Sequence, residues 1–145
     1  MQDKHYKVHC DCGAIELAMS GTPIVHAYCH CQDCRDLLDV PFNAITAWDA
    51  AKVSVLKGED KLLEYKYPDK EMVRYSCKSC GELMFNTNKY KWRLVSQTLI
   101  RKCNSNLLPI ELASDKHFYY AERVIDIKDE LPKYLQGVDG PLHKD

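Results

Sequence analysis

The stretches CDCG, residues 10–13, and CKSCG, residues 77–81, decide how this chain folds. Each is a close cysteine pair followed at once by glycine, Gly13 or Gly81, and then by an apolar run, AIEL at 14–17 or ELMF at 82–85. A turn that aims backbone N–H groups at thiolate sulfur needs a residue that accepts φ > 0, and glycine does so without steric cost. Two such turns, distant in sequence, can place Cys10, Cys12, Cys77 and Cys80 around one ion with every position filled by protein, the pattern of a structural zinc. Such a site joins the N-terminal strand to the middle of the chain and couples metal binding to folding. Spacing alone does not force this pairing: CQDC at 31–34 with CKSC at 77–80 would make a ribbon. The segment between those two pairs is much longer than the usual ~15–20 residues.

Between the outer pairs lies CHCQDC, residues 29–34. If the chain passes here from a strand end into a helix, Cys29, Cys31 and Cys34 can surround a second ion. A helix is expected over QDCRDLLD, residues 32–39, ended by Pro41. Cys34 would then lie in its first turn, where the helix N-terminus favours a thiolate and Asp33 partly opposes it. Three protein ligands and one vacancy form the catalytic pattern. Three thiolates around Zn²⁺ make a poor Lewis acid for generating hydroxide but a good soft acceptor for another sulfur. An incoming thiol would lose its proton on binding and become a nucleophile. Cys103 or His30 taking the fourth position are the competing readings.

Eight cysteines in 145 residues is the outlying feature of the composition, and seven of them fall in the three groups. Cysteines this close make poor disulfide partners for one another and good chelates, so metal is the expectation. The formal net charge of -1 gives no general attraction to nucleic acid or an anionic membrane. No apolar stretch reaches the roughly 18–20 residues of a membrane span. The opening MQDKHYK, residues 1–7, lacks the apolar core of a secretory signal, so a cytoplasmic location is expected. Short β-rich runs dominate: KVSVLKG (52–58) and EMVRYSC (71–77), which alternate, with KLLEYKY (61–67), WRLVSQTLI (92–100) and HFYYAERVIDI (117–127), read as strands, and GVDGPLHKD (137–145) as a frayed tail. The chain reads as one mainly-β domain with one short helix.

HCDCGAIEL, CHCQDCRDLLDVPF and RYSCKSCGELMF, with the closing HFYYAERVIDIKDELPKYLQ, resemble the signature blocks of the glutathione-dependent formaldehyde-activating enzyme family, the carbon–sulfur lyases of S-(hydroxymethyl)glutathione synthase type. The resemblance covers roughly residues 9–136. It implies a β-tent: twisted antiparallel sheets around a structural zinc held by Cys10, Cys12, Cys77 and Cys80, with a second, labile zinc at Cys29, Cys31 and Cys34. It also implies addition of a thiol such as glutathione to a small aldehyde such as formaldehyde. The sequence departs from the family pattern after the middle cluster, where Asp36 stands at a commonly basic position and Asp39 at a commonly glycine one. An acidic loop there disfavours a tripeptide with two carboxylates.

Two further residues are catalytic candidates. His30 can shuttle a proton from an incoming thiol, since its pKa lies near neutrality, or can orient the cluster. Arg35 can pair with a substrate carboxylate, or with Asp39 four residues on. His117, Trp48, Trp92 and the tyrosines read as packing, and Cys103 as a small buried residue. A zinc-stabilised module that only binds another protein is the alternative function, distinguished by having one tightly held zinc and no response to thiol.

Overall fold

Leu17 and Met19 are buried, while Glu16, Ala18 and Ser20 beside them are half-exposed. This period of two marks a strand with one face in a core, and it recurs over Val25–Cys29. A computed structural model describes residues 4–144; part of the polar opening stretch and the last tail residue lie outside the described residues. The strands are β1 (His5–His9), β2 (Glu16–Ser20), β3 (Val25–Cys29), β4 (Asn43–Trp48), β5 (Val53–Lys57), β6 (Leu62–Lys66), β7 (Val73–Cys77), β8 (Leu83–Thr87), β9 (Arg93–Ser96) and β10 (His117–Phe118). They form a three-stranded antiparallel sheet in the order β1-β2-β5 and a seven-stranded sheet in the order β10-β3-β4-β9-β8-β7-β6. Only the β10–β3 edge of the larger sheet is parallel.

The seven-stranded sheet separates two cores. Along β4 and β9, Ile45, Ala47 and Leu94 face one core. Trp48 and Val95 face the other, together with Leu17 and Met19 from the smaller sheet. Each core contains one cysteine group in part: Cys10 and Cys77 in the larger, Cys29 and Cys34 in the smaller. The buried polar atoms at the divide are paired. The Trp48 indole N–H donates to Thr46 Oγ1 at 2.8 Å, and the Thr46 hydroxyl donates to the Val95 carbonyl at 2.7 Å.

The expected helix in the middle cluster forms as α1 (Gln32–Leu38), with Cys31 as its N-cap and Asp39 in the left-handed region at its C-cap. A left-handed C-cap is the position glycine fills at least cost, so Asp39 takes this conformation without glycine's steric freedom. A second short helix, α2 (Gln97–Lys102), takes the end of the run that reads as one strand over 92–100. Ser96 ends β9 and caps α2, its Oγ accepting the Thr98 N–H at 3.1 Å. Of the run 117–127 only His117–Phe118 is strand, because Tyr119 adopts φ 54 and turns the chain into a 3-10 turn at Tyr120–Glu122. Nor is the tail frayed over its described part: Leu135 N–H donates to the Pro141 carbonyl at 2.8 Å and His143 N–H to that of Lys133 at 2.7 Å.

One glycine outside the cysteine turns is fixed by space as well as by conformation. Gly58 has φ +79, and a Cβ there would lie 2.1 Å from the Ala14 carbonyl oxygen and 3.2 Å from Ile15 Cα. Both contacts are backbone atoms, so no side-chain rotation relieves them. Gly58→Ala should cost roughly 3 kcal/mol or more, combining the left-handed penalty with overpacking. Chemical denaturation measures it. A loss under about 1 kcal/mol would mean that the turn beside the first cysteine pair is compliant.

Candidate functional site

The two outer turns are built alike. Cys10 N–H donates to the Ile15 carbonyl at 3.1 Å, and Cys77 N–H to that of Glu82 at 2.9 Å. Gly13 and Gly81 sit at φ 77 and 82. A Cβ at either would meet nothing within 4 Å, so backbone conformation alone calls for glycine. The turns aim donors at sulfur as the sequence implies: Ile15 N–H to Cys10 Sγ at 3.3 Å, and Ser79 and Cys80 N–H to Cys77 Sγ at 3.4 and 3.5 Å. Across the junction, Glu82 accepts the Asp11 N–H at 2.8 Å and pairs with Lys102, which also reaches Asp11 at 3.2 Å.

These turns bring Cys10, Cys12, Cys77 and Cys80 together, with all four sulfurs within 4.8 Å of one another. The Cys10–Cys12 and Cys12–Cys77 sulfur separations are both 3.7 Å. A tetrahedral ion with metal–sulfur bonds of about 2.3 Å requires edges of about 3.8 Å. The donor set therefore fits a metal ion. The Cys80 N–H, foremost, draws the Cys77 thiol down to about 6 against its burial.

The middle group is gathered by the passage from β3 into α1. Cys29 ends β3, Cys31 caps the helix and accepts the Cys34 N–H on its sulfur at 3.3 Å, and Cys34 lies in the first turn. Cys29 and Cys31 sulfurs are 3.4 Å apart, and all three sulfurs lie within 4.8 Å. Hydrogen bonds from the Cys29 and Cys34 thiols pull Cys31 down to about 3. The same sharing, with burial, pushes Cys29 and Cys34 up. This trio too can hold a metal. Among the described residues no fourth histidine, cysteine or carboxylate joins it. Cys103 lies elsewhere, accepting the His9 N–H at 3.3 Å and donating to the His9 carbonyl at 3.4 Å.

The three sulfurs border a cleft of about 590 Å³. Its walls include Lys70, Asn86, Trp92, Tyr119 and Glu122, none of which the sequence singles out for chemistry except to read Trp92 and Tyr119 as packing. No short motif marks them, because they come from separate turns and strands. Lys70 bridges Asp33 at 3.0 Å and Asp36 at 3.5 Å, so the acidic loop after the cluster is partly neutralised from across the cleft.

His30 and Arg35 are not among the residues lining the cleft. The His30 ring is buried and stacks on Phe42. Its Nε2 is 2.9 Å from His117 Nδ1, and His117 Nε2 is 2.8 Å from Asp129 Oδ2. Burial foremost, with the nearby Arg123 and Arg35 guanidinium groups adding to it, pushes His30 down to about 4. Arg35 Nε donates to the His30 carbonyl at 3.1 Å. The Asp39 backbone N–H caps the Arg35 carbonyl, in place of the side-chain ion pair that was the alternative reading of Arg35.

A family model described as "Glutathione-dependent formaldehyde-activating enzyme" matches residues 5–122. No functionally curated protein matches the chain. The fold is similar to a crystal structure of a Rhodobacter sphaeroides protein, a structural-genomics target, at 19% identity and a TM-score of 0.50. That likeness covers 64% of this chain and 85% of the other, and at this identity it speaks for the fold alone. Among the described residues, no helix is long and apolar enough to cross a membrane.

Proposed function

Because the chain belongs to the glutathione-dependent formaldehyde-activating enzyme family, we propose that it is a zinc-dependent carbon–sulfur lyase or synthase that joins a small thiol to a small aldehyde such as formaldehyde. In this reading Cys10, Cys12, Cys77 and Cys80 hold a structural zinc, and Cys29, Cys31 and Cys34 hold a catalytic one. The observation that carries it is the second trio: three converging sulfurs at the edge of a cleft, with no fourth donor among the described residues. A zinc ion bound there would supply a soft centre that lowers the pKa of an arriving thiol.

The chain's own residues provide position. Cys31 and Cys34 border the space where the thiol arrives. The thiol releases its proton to solvent, its sulfur forms a bond to the aldehyde carbon, the carbonyl π pair moves to oxygen, and that oxygen takes a proton from solvent in the open cleft. Thiol and aldehyde thus give a hydroxymethyl thioether with no change of oxidation state overall. We assign His30 and Arg35 to positioning rather than proton transfer. The buried His30–His117 contact and the Arg35 bond to the His30 carbonyl hold the loop between Cys29 and Cys31 from both sides. A His30 imidazole held down to about 4 stays neutral at physiological pH.

A closed site and an open site should differ in lability, since three protein ligands chelate less strongly than four. Mild chelation is expected to remove one of two zinc ions while circular dichroism stays unchanged. Loss of both together, with unfolding, would point instead to two structural sites and a non-catalytic module.

A further inference from the structure

We propose, resting on the reading of Cys29, Cys31 and Cys34 as the thiol-binding centre, that the cleft selects a thiol carrying a positively charged group, an aminothiol, over an acidic thiol such as glutathione. Four carboxylates line the cleft, Asp33, Asp69, Glu71 and Glu122, against two ammonium groups, Lys70 and Lys89. Lys70 is already engaged by Asp33 at 3.0 Å and by Asp36 at 3.5 Å, so it is not free to receive a substrate carboxylate. Lys89 lies over the Tyr90 ring, 5.1 Å from its centroid, and is exposed. Three thiolates with a divalent zinc add a further formal negative charge at the cleft's edge. A substrate with two carboxylates would therefore enter a field of its own sign, and a cleft concentrates such a field.

Individual wall residues suit the same ligand. Glu122 Oε1 accepts the N–H of Gln32 at 3.1 Å, which fixes a carboxylate beside the residue that follows Cys31. Glu122 lines the same cleft as the three sulfurs, so an ammonium carried by a thiol bound at that trio meets the field of this carboxylate. Trp92 and Tyr90 pack with ring centroids 4.8 Å apart, and Tyr119 lines the cleft with them; such ring faces attract a cation. Asn86 is 5% exposed, lines the cleft, and its side-chain amide makes no hydrogen bond among the described residues. The Asn86 side-chain carbonyl oxygen can accept from an ammonium.

Titration calorimetry on the zinc-loaded protein tests this with cysteamine, β-mercaptoethanol, mercaptopropionate and glutathione, at low and high salt. Cysteamine is expected to bind about tenfold more tightly than mercaptopropionate, with β-mercaptoethanol between, and the gap should narrow at high salt. Glu122→Lys should erase or invert that order; Asp69→Lys should narrow it, and serves if the first variant does not fold. Because the same thiols are compared in each variant, their differing acidities cancel from the change in order. Equal binding by all four, tighter binding of mercaptopropionate or glutathione, or an order untouched by both variants would overturn charge selection and leave the thiol site standing. If no thiol binds at all, both the selection and the thiol site fall.

Discussion

Cys80→Ala is expected to yield no stably folded protein. Cys80 closes a four-sulfur group drawn from the β1–β2 turn and the β7–β8 turn. The smaller sheet containing β1 and the far end of the larger sheet containing β7 meet there. Structural zinc sites carry apparent binding free energies of about 10–16 kcal/mol. The whole stability of a domain is only about 5–15 kcal/mol. Removing one of four ligands therefore removes a large part of what holds the fold. Soluble yield, zinc content and thermal melting measure it. Cys103→Ala is the matched control, since the Cys103 sulfur hydrogen-bonds to His9 backbone atoms, packs at the edge of the larger core and belongs to neither metal group. It should cost about 1 kcal/mol, the scale of one lost hydrogen bond. Soluble Cys80→Ala with an unchanged melting temperature would remove the outer group from its structural role.

Cys34→Ser should do the reverse: the fold survives and the chemistry goes. Serine nearly matches cysteine in shape, and α1 retains its cap because Cys31 sulfur accepts the backbone N–H of residue 34, not its side chain. Expected stability loss is about 1–2 kcal/mol, from burying a hydroxyl in place of a thiol in the smaller core. The middle site, however, loses one of three ligands, and metal affinity there should fall by about two orders of magnitude or more. The reaction is best followed by exchange spectroscopy on an equilibrium mixture of thiol and formaldehyde, because the uncatalysed addition is itself fast. Wild-type protein should accelerate exchange above that background and Cys34→Ser should not. Equal acceleration by both would detach catalysis from the middle cluster.

Local chemistry made much of this architecture readable. The glycines after each outer cysteine pair do sit at positive φ, and the helix inside CHCQDC does begin at Gln32. Alternation located β5, β6 and β7 to within a residue or two. The readings that differ share one cause, a backbone event with a weak side-chain signal. Apolar content carries through 92–100 without a break, and only Ser96 followed by Gln97 and Thr98 betrays the helix start. Tyr119 turns left-handed inside an aromatic run that otherwise looks like strand. The tail is tied by main-chain bonds to Lys133 and Leu135, which no side chain announces.

The candidate site was legible in its sulfurs and not in its walls. Close cysteines in sequence are close in space, so the trio needed no tertiary information. Lys70, Asn86 and Glu122 reach the cleft only through the order of strands in the larger sheet and the turn after β10. His30 shows the converse: its place between two cysteines drew attention to it as a proton carrier, whereas the fold buries its ring against His117 and Phe42.

A catalytic middle ion must have a position for an outside sulfur. Metal-edge X-ray absorption on protein whose middle site alone is loaded with Co²⁺ measures this directly. With Cys29, Cys31 and Cys34 as its protein ligands, the ion should show three sulfur neighbours at rest and four after addition of cysteamine. Four protein ligands at rest, or no gain of sulfur with any thiol, would contradict it.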